Sequence, residues 1–344
     1  DVYKRQIKEK GIFNEGNREG LWKTYSSKDI LESEADYKNG KYHGGVKGYY
    51  PSGKLKITAQ YFEGKLEGEM LSYNDDEKLI LKAFYKENKE NGLYETYYDN
   101  GKKQTQGFFK EGKRDGQWSH FYMNGQLKQD EFYQNGKLMS LGTPYDQYGK
   151  ELKQKRFKKG KGKRYYYYPK GEIAALIPFE NGVEEGNATS LYSSGMLKSR
   201  VNYENGLENG DMYEYYEQGG ISAITNFEKG IEQGAYYEFH LTGDTAVWGW
   251  YLDGKEDSLW IESYESGNIK EEGYYVSGLP DDMWYYYYDD TLATVAMEGR
   301  YDIGDQIGRW NQYYQNGEFK TSGQYIEGKK QGFWQSFYKN GNIY

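Results

Sequence analysis

The stretch from Gly112 to Gly136, GKRDGQWSHFYMNGQLKQDEFYQNG, contains the pattern that decides the fold. Its end glycines lie 24 residues apart, and this spacing recurs along the chain, with one interval of 22 and one of 26 residues. A fixed period of this size predicts a repeat array in which each unit mainly contacts its neighbours. Asn88 fills the one gap in the series, and the period glycines are Gly16, Gly40, Gly64, Gly112, Gly136, Gly160, Gly182, Gly206, Gly230, Gly254, Gly278, Gly304 and Gly328.

Two Asn-Gly pairs divide this stretch into segments of about eight residues that are rich in aromatics and alternate in polarity. Asn-Gly supplies the positive φ that a type I′ hairpin turn requires, so Asn124-Gly125 and Asn135-Gly136 both predict such turns. Each repeat therefore predicts two antiparallel strands. The predicted fold class is all-β, an elongated array of antiparallel β-hairpins. It is a meander with about 24 residues per repeat and on the order of 27 strands, curled into a ribbon.

The alternation also assigns side chains to faces. Counted from Gly116, Trp118 at +2, His120 at +4 and Tyr122 at +6 share one face, while Phe121 at +5 points to the other. An aromatic recurs at +17, often with a small residue two positions before it, and we expect the +2 and +17 residues to form the core. The two unusual intervals differ from 24 by an even number and fall in turns, which preserves the facing of every side chain.

Residues 7–344 are predicted to form a single array of about 14 units, truncated at both ends and irregular at residues 137–164 and 279–303. Residues 1–6, DVYKRQ, carry no turn signal where the register requires one, so we expect them to be foreign or disordered. A signal peptide could be missing from such an N-terminus, and without one a cytoplasmic location is favoured.

The composition excludes several classes of protein. The net charge of -8 and the pI of about 5.3 argue against general nucleic-acid affinity. The mean hydropathy of -1.06 would suggest disorder, but 41 Tyr, 14 Phe and 8 Trp supply an aromatic core instead. Without cysteine there is no disulfide or thiolate chemistry, and no apolar run reaches the roughly 20 residues of a membrane span.

The pattern Y-Y-x-N-G followed by Y-x-x-G-K-x-x-G-x-W resembles the MORN-repeat family. The clearest copies are Tyr97–Gly101 with Phe109–Gly116, and Tyr313–Gly317 with Tyr325–Trp334. The sequence is most similar to the bacterial variant found in proteins labelled YwqK-type antitoxins. The resemblance implies β-hairpin arrays that act as scaffolds, protein-binding surfaces, dimerisation modules or lipid-associated modules, and the antitoxin label implies neutralisation of a partner toxin. The motif contains no catalytic residue.

The aromatics at +5 are the first candidate binding site, because they lie opposite the predicted core and we expect them to be exposed. Rows of Trp and Tyr can stack sugars, choline-like cations or peptide prolines, whereas the +2 and +17 aromatics are interpreted as core. We call the candidate residues the stripe, which comprises Tyr25, Tyr49, Tyr73, Tyr97, Phe121, Tyr215, Phe239, Tyr287, Tyr313 and Phe337.

A basic patch near the centre of the chain is the second candidate. It could dock an acidic partner, a phospholipid surface or nucleic acid, or it could be a solvated edge that prevents wrong strand pairing. Strand alternation would divide its charges between two faces. Its residues are Lys153, Lys155, Arg156, Lys158, Lys159, Lys161, Lys163 and Arg164.

No constellation for catalysis, metal or cofactor binding is recognisable. The histidines His43, His120 and His240 fall at different repeat positions, and none has carboxylate or cysteine partners at ligand spacing. The sequence therefore predicts a non-enzymatic protein-binding scaffold, with a toxin as partner if the protein is antitoxin-like. The alternatives are a cell-surface module that binds carbohydrate or choline, and a lipid-associated scaffold in peripheral contact with a membrane.

Overall fold

The computed structural model describes residues 7–344, so the predicted foreign or disordered segment 1–6 lies outside the described residues. Within 7–344 the chain forms 29 strands and no helix, and strands that follow one another in sequence pair antiparallel, except between the twelfth and thirteenth strands and around two short two-residue strands. The strands follow chain order in a sheet of 12 strands and a sheet of 17. The prediction of an all-β meander of hairpins is confirmed.

The strands are mostly eight or nine residues long. The first sheet contains β1 (Glu9–Asn14), β2 (Asn17–Tyr25), β3 (Leu31–Lys38), β4 (Lys41–Tyr49), β5 (Leu55–Phe62), β6 (Lys65–Tyr73), β7 (Leu79–Lys86), β8 (Lys89–Tyr97), β9 (Lys103–Lys110), β10 (Lys113–Phe121), β11 (Leu127–Gln134) and β12 (Lys137–Leu141). The second contains β13 (Gly162–Tyr167), β14 (Ile173–Glu180), β15 (Val183–Glu184), β16 (Gly186–Leu191), β17 (Leu197–Glu204), β18 (Leu207–Glu208), β19 (Gly210–Tyr215), β20 (Ile221–Glu228), β21 (Ile231–Phe239), β22 (Thr245–Leu252), β23 (Lys255–Ser263), β24 (Ile269–Val276), β25 (Leu279–Tyr287), β26 (Val295–Asp302), β27 (Asp305–Tyr313), β28 (Phe319–Ile326) and β29 (Lys329–Ser336).

The chain divides into two compact units. The first extends to Glu172 and includes Phe179–Val183, and the second consists of Ile173–Pro178 and Glu184–Tyr344. In the first unit the meander is interrupted after β12, and residues 142–161 contain only isolated bridges before β13 begins. In the second unit the 26-residue interval places seven residues between β25 and β26.

The hairpins close on two-residue turns at the period glycines. In each of 14 such turns both residues have positive φ, as in Asn135 (51°) and Gly136 (83°), which is the type I′ conformation. Asn88, with φ of 69°, takes the same conformation without glycine. The turns also stack, because the amide of Gly136 donates to the carbonyl of Arg114 at 2.8 Å. The period positions from Gly40 to Gly328 make corresponding bonds to the preceding turn, except that Gly160 donates to Met139 instead.

Asn124-Gly125, at the other end of the hairpin strand, does not form a type I′ turn, so the prediction for this pair is wrong. At Asn124-Gly125 only the glycine has positive φ, 90°. The amide of Gly125 donates to the carbonyl of Tyr122 at 2.8 Å, and the amide of Tyr122 donates to Gln126 at 2.9 Å. The register then shifts by one residue at Phe121 and Leu127. This is a three-residue loop with a bulge, which needs left-handed backbone only at the glycine.

Tryptophan packs directly on glycine in the core. A Cβ on Gly107 would lie 2.1 Å from Trp118 Cδ2, so the indole occupies the space of the absent side chain. Trp118 is fully buried, and its Nε1 donates to the carbonyl of Phe108 at 3.1 Å. The same contact recurs eleven residues apart in Gly11–Trp22, Gly249–Trp260, Gly273–Trp284, Gly299–Trp310 and Gly323–Trp334.

Where alanine replaces that glycine, a smaller side chain replaces the indole. Ala83, fully buried, pairs with Tyr94 across the strands. Ala35 and Ala59 pair with Val46 and Met70 in the same way. The +2 side chain therefore packs on the small residue that lies two positions before the +17 aromatic. A larger residue at the one position is accompanied by a smaller residue at the other.

Tyrosine hydroxyls at +6 connect successive hairpins. The hydroxyl of Tyr98 donates to the carbonyl of Phe121, 23 residues later, at 2.8 Å. At the corresponding site His240 approaches the carbonyl of Ser263 through its ring nitrogen, at 3.1 Å. The same bond is made by Tyr50, Tyr122, Tyr192, Tyr216, Tyr264, Tyr288 and Tyr314.

The indole-on-glycine contact makes a testable prediction. Gly107→Ala should lower the free energy of unfolding by about 1–3 kcal/mol, because the new methyl group overlaps the ring of Trp118. Adding Trp118→Tyr should recover much of this loss, since the double variant reproduces the Ala83–Tyr94 pair. Urea denaturation of the wild type, both single variants and the double variant measures the coupling. Additive losses would show that the two residues do not compensate.

Candidate binding site

The stripe lies on one face of the hairpins, opposite the Trp face, which is the face that carries Trp22, Trp118, Trp284 and Trp310. We call it the stripe face. All ten stripe residues are half-buried, so the expectation that they are exposed is wrong. Their assignment to a binding surface stays a prediction.

Carboxylates explain part of this burial. The hydroxyl of Tyr97 donates to Glu95 at 2.6 Å, two residues before it on β8. Burial, assisted by the bond to Glu95, raises the pKa of Tyr97 to about 12, so the hydroxyl remains a donor at neutral pH. Bonds of 2.6–2.7 Å to a glutamate 15 residues earlier anchor three more stripe tyrosines, in the pairs Tyr49–Glu34, Tyr287–Glu272 and Tyr313–Glu298.

In the second unit additional aromatics extend the stripe. Tyr237 stacks on Phe239 with centroids 6.2 Å apart, and Tyr285 stacks on Tyr287 at 6.5 Å. These partners stand two residues before a stripe position and share its face, because strand side chains alternate. The same alternation could have identified them from the sequence. Arg200 also lies over the rings of Tyr213 and Tyr215, at 5.1 and 5.7 Å.

The two halves of the chain have opposite charge. Residues 184–344 contain 27 acidic and 11 basic residues, a net charge of -16, whereas residues 1–183 contain 26 acidic and 34 basic residues, a net charge of +8. The overall charge of -8 therefore hides a strongly acidic second unit. Such a field attracts basic partners and accelerates their association.

The structure divides the basic patch. Arg164 is wrong as a member, because its side chain is only 14% exposed and pairs with the buried Glu131. Lys161 pairs with Glu180 at 2.8 Å. Lys153, Lys155, Arg156, Lys158, Lys159 and Lys163 are exposed. Strand alternation divides only Lys163 from Arg164, on β13; the expected division fails at residues 153–157, which form no strand.

Lys158, Lys159 and Lys161 flank a period turn and belong to a longer lysine edge in the first unit. Lysines stand opposite each other across the hairpin ends, as in Lys86 with Lys89. Like charges in this position repel each other, and the resulting positive edge attracts anions. The remaining exposed lysines of this edge are Lys38, Lys41, Lys65, Lys110, Lys113 and Lys137.

A buried charged cluster lies where the meander is interrupted. Glu131, 2% exposed, accepts a very short bond from Arg164 and a 2.8 Å bond from the hydroxyl of Tyr133. His120 Nε2 lies 3.2 Å from Glu131 Oε2 without the alignment of a hydrogen bond. Burial opposes ionisation of Glu131, but the contacts with His120 and Arg164 prevail and lower its pKa to about 2. The carboxylate is therefore charged in the folded protein above this pH.

A cavity of about 210 Å³ opens beside this cluster. Its walls come from β8 to β11, from Pro144 and Tyr145 in the interrupted segment, and from β13. Phe121 of the stripe and Arg164 of the predicted basic patch both line it, so the cavity joins a member of each candidate site. The sequence did not indicate this site, because Glu131 and Arg164 are 33 residues apart and belong to no motif.

Among residues 7–344, no three or more His, Cys, Asp or Glu side chains cluster in a way that could hold a metal ion. The same part of the chain contains no helix with the length and apolar character needed to cross a membrane.

Comparison with known proteins supports a MORN-repeat protein. Six segments match the family model described as MORN repeat variant, at residues 18–39, 42–63, 90–111, 114–135, 184–205 and 256–277. Repeats of this family form scaffolds that generally bind protein or membrane. No curated protein matches the chain.

Solved structures are similar at low identity. The crystal structure of TcdB2-TccC3 is 12% identical with a TM-score of 0.16, over 90% of this chain and 22% of that chain. The Photorhabdus luminescens Tc holotoxin pore is 10% identical with a TM-score of 0.16, over 94% of this chain and 18% of that chain. The chain thus spans about a fifth of the length of the solved chains it matches.

The Glu131–Arg164 pair predicts a specific dependence on pH. Glu131→Gln should cost about 3–5 kcal/mol at neutral pH, because Arg164 is left buried without its counter-charge. The folded pKa is depressed, so the carboxylate contributes its full stability above its unfolded value of 4.5 and loses it as the pH falls towards 2. This span corresponds to about 3 kcal/mol. The difference in the free energy of unfolding between wild type and variant, measured by urea denaturation, should therefore become smaller as the pH falls between these values.

The exposed Glu151 provides the matched control, and Glu151→Gln should not produce this gap. A gap between wild type and Glu131→Gln that does not change down to pH 2 would contradict the depressed pKa.

Proposed function

We propose that the chain is a non-enzymatic scaffold that binds another protein along the stripe face of its second unit. The matched repeats support the scaffold. The observation that carries the choice of face is the row of half-buried aromatics whose rings are fixed before any partner arrives. Tyr237 and Phe239 stack, as do Tyr285 and Tyr287, and the hydroxyl of Tyr287 is bonded to Glu272 at 2.7 Å. Rigid tyrosines offer large contact area at a low cost in conformational entropy.

The charge of the second unit specifies the partner further. With 27 acidic residues against 11 basic ones in residues 184–344, the unit repels acidic proteins and attracts basic ones. Complementary charge mainly raises the association rate and the specificity, while the aromatic row supplies desolvated contact area. We therefore propose a basic protein as the partner.

The resemblance to YwqK-type antitoxins supports a more specific form of this proposal. In that form the basic partner is a toxin, and the scaffold neutralises it by stoichiometric binding. The half-buried stripe residues provide a surface that can cover an active site without any catalytic group of their own. The proposal for a protein partner does not depend on this identification.

The triple variant Tyr215→Ala, Phe239→Ala and Tyr287→Ala tests the proposal. It should capture at least tenfold less partner than the wild type from an extract of the source cells, because it removes aromatic contact area without touching the Trp face. The captured partner should be basic, and its association should slow as ionic strength rises. Circular dichroism should show that the fold is retained.

The matched control removes three exposed apolar side chains of the second unit that lie outside the stripe, Leu241, Leu292 and Ile303. Their replacement by alanine should leave capture unchanged. Equal capture by the stripe variant and the wild type would show that the partner does not dock on the stripe face. A captured partner of acidic character would contradict the charge argument.

A further inference from the structure

We propose that the cavity beside Glu131 and Arg164 in the first unit binds a small organic anion, a carboxylate attached to a flat aromatic body. The site is separate from the stripe face of the second unit and does not depend on the protein partner proposed above. Its size, charge and lining lead to this class of ligand.

The cavity is formed by the interruption of the repeat. After β12 the chain turns back, and the amide of Tyr145 donates to the carbonyl of Lys128 at 2.8 Å. The hydroxyl of Tyr122 donates to the carbonyl of Tyr145 at 2.9 Å, so a +6 tyrosine holds the irregular segment in place. These bonds keep Pro144 and Tyr145 at one wall of a space of about 210 Å³. This volume suits a single aromatic ring with one carboxylate.

The lining carries more positive than negative charge. Lys128 and Arg164 both face the cavity, and Glu131 is the one carboxylate among its lining residues. Burial and, after it, the charge of Arg164 lower the pKa of Lys128, as is expected for a cation near a second cation. Glu131 is already engaged by Arg164 and by the hydroxyl of Tyr133. An anion placed between Lys128 and Arg164 would relieve their repulsion.

One buried donor at the cavity, Nε of Arg164, lacks a hydrogen-bond partner. Nε2 of His120, which also lines the space, lies 3.2 Å from the carboxylate of Glu131. A buried donor without an acceptor is unfavourable, and a bound carboxylate would offer acceptor oxygens to such donors. Arg164 already pairs with Glu131, but its Nε is left as a donor for a second carboxylate.

The remaining lining is aromatic, which favours a flat ring over a compact inorganic anion. Aromatic rings contact a flat ligand by offset stacking or edge-to-face packing. Phe121 brings a stripe residue to this wall, next to the ladder of +6 tyrosines. The aromatic lining residues are Tyr98, Phe121, Tyr122, Tyr145 and Tyr165–Tyr167.

Titration of the wild-type protein with benzoate tests the site directly. The chain has three histidines, so their ring resonances can be distinguished by NMR. Benzoate should shift the resonances of His120 in a saturable way, while those of His43 and His240 stay in place. Benzamide, which has the same shape without the charge, and inorganic phosphate, which has charge without the ring, should each bind at least tenfold more weakly.

Lys128→Gln should weaken benzoate binding at least tenfold. Lys198→Gln is the matched control, because Lys198 occupies the same repeat position and lies 5.9 Å over Tyr192, as Lys128 lies 5.7 Å over Tyr122. It should bind benzoate like the wild type. Absence of a saturable shift at His120 in the wild type would overturn the proposal. Benzamide or phosphate binding as tightly as benzoate would also overturn it, as would equal effects of the two lysine variants.

Discussion

The contact between an indole ring and the bare backbone of a glycine determines how the hairpins stack. Trp118 occupies the space where a side chain on Gly107 would be, and five other tryptophans repeat this contact at the same separation. The ring reaches the neighbouring strand only because no Cβ intervenes. Its Nε1 then bonds the carbonyl of Phe108, which satisfies the polar atom of a buried side chain. The stacked type I′ turns and the +6 hydroxyl bonds reinforce the same spacing at the two ends of each hairpin.

This construction explains how a chain with a mean hydropathy of -1.06 can fold. One row of large aromatics per repeat buries roughly 150–250 Å² per side chain, so few aliphatic residues are needed. On the opposite face and at the turn edges, the residue types can differ from one repeat to the next. In the first unit the turn edge is rich in lysine, and the second unit is strongly acidic. The repeat therefore fixes the backbone while its surfaces carry different charges, which suits a scaffold whose specificity resides in exposed positions.

The sequence predicted what depends on local periodicity. The 13 period glycines and Asn88 located the 14 type I′ turns, and strand alternation placed Trp118 in the core and Phe121 opposite. The sequence did not predict the contacts that side chains make with residues on neighbouring strands. The burial of Tyr49 reflects a bond to Glu34, 15 residues away. Arg164 was grouped with exposed lysines, because a run of cations gives no indication that one of them pairs with Glu131. The cavity was missed since the interrupted segment obeys no period.

The central claim is that the 24-residue period preserves the facing of every side chain, and deletion of one repeat tests it most directly. Removing residues 66–89 joins Lys65 to Glu90 and keeps the period, whereas removing residues 66–88 joins Lys65 to Lys89 and leaves one extra residue in the joined strand, which turns the side chains on one side of the junction to the wrong face. The account predicts that the 24-residue deletion unfolds cooperatively in urea with near-wild-type tryptophan burial. It predicts that the 23-residue deletion is clearly less stable in urea, because the joined strand presents part of its core side chains to the wrong face. Equal stability of the two deletions would contradict the account.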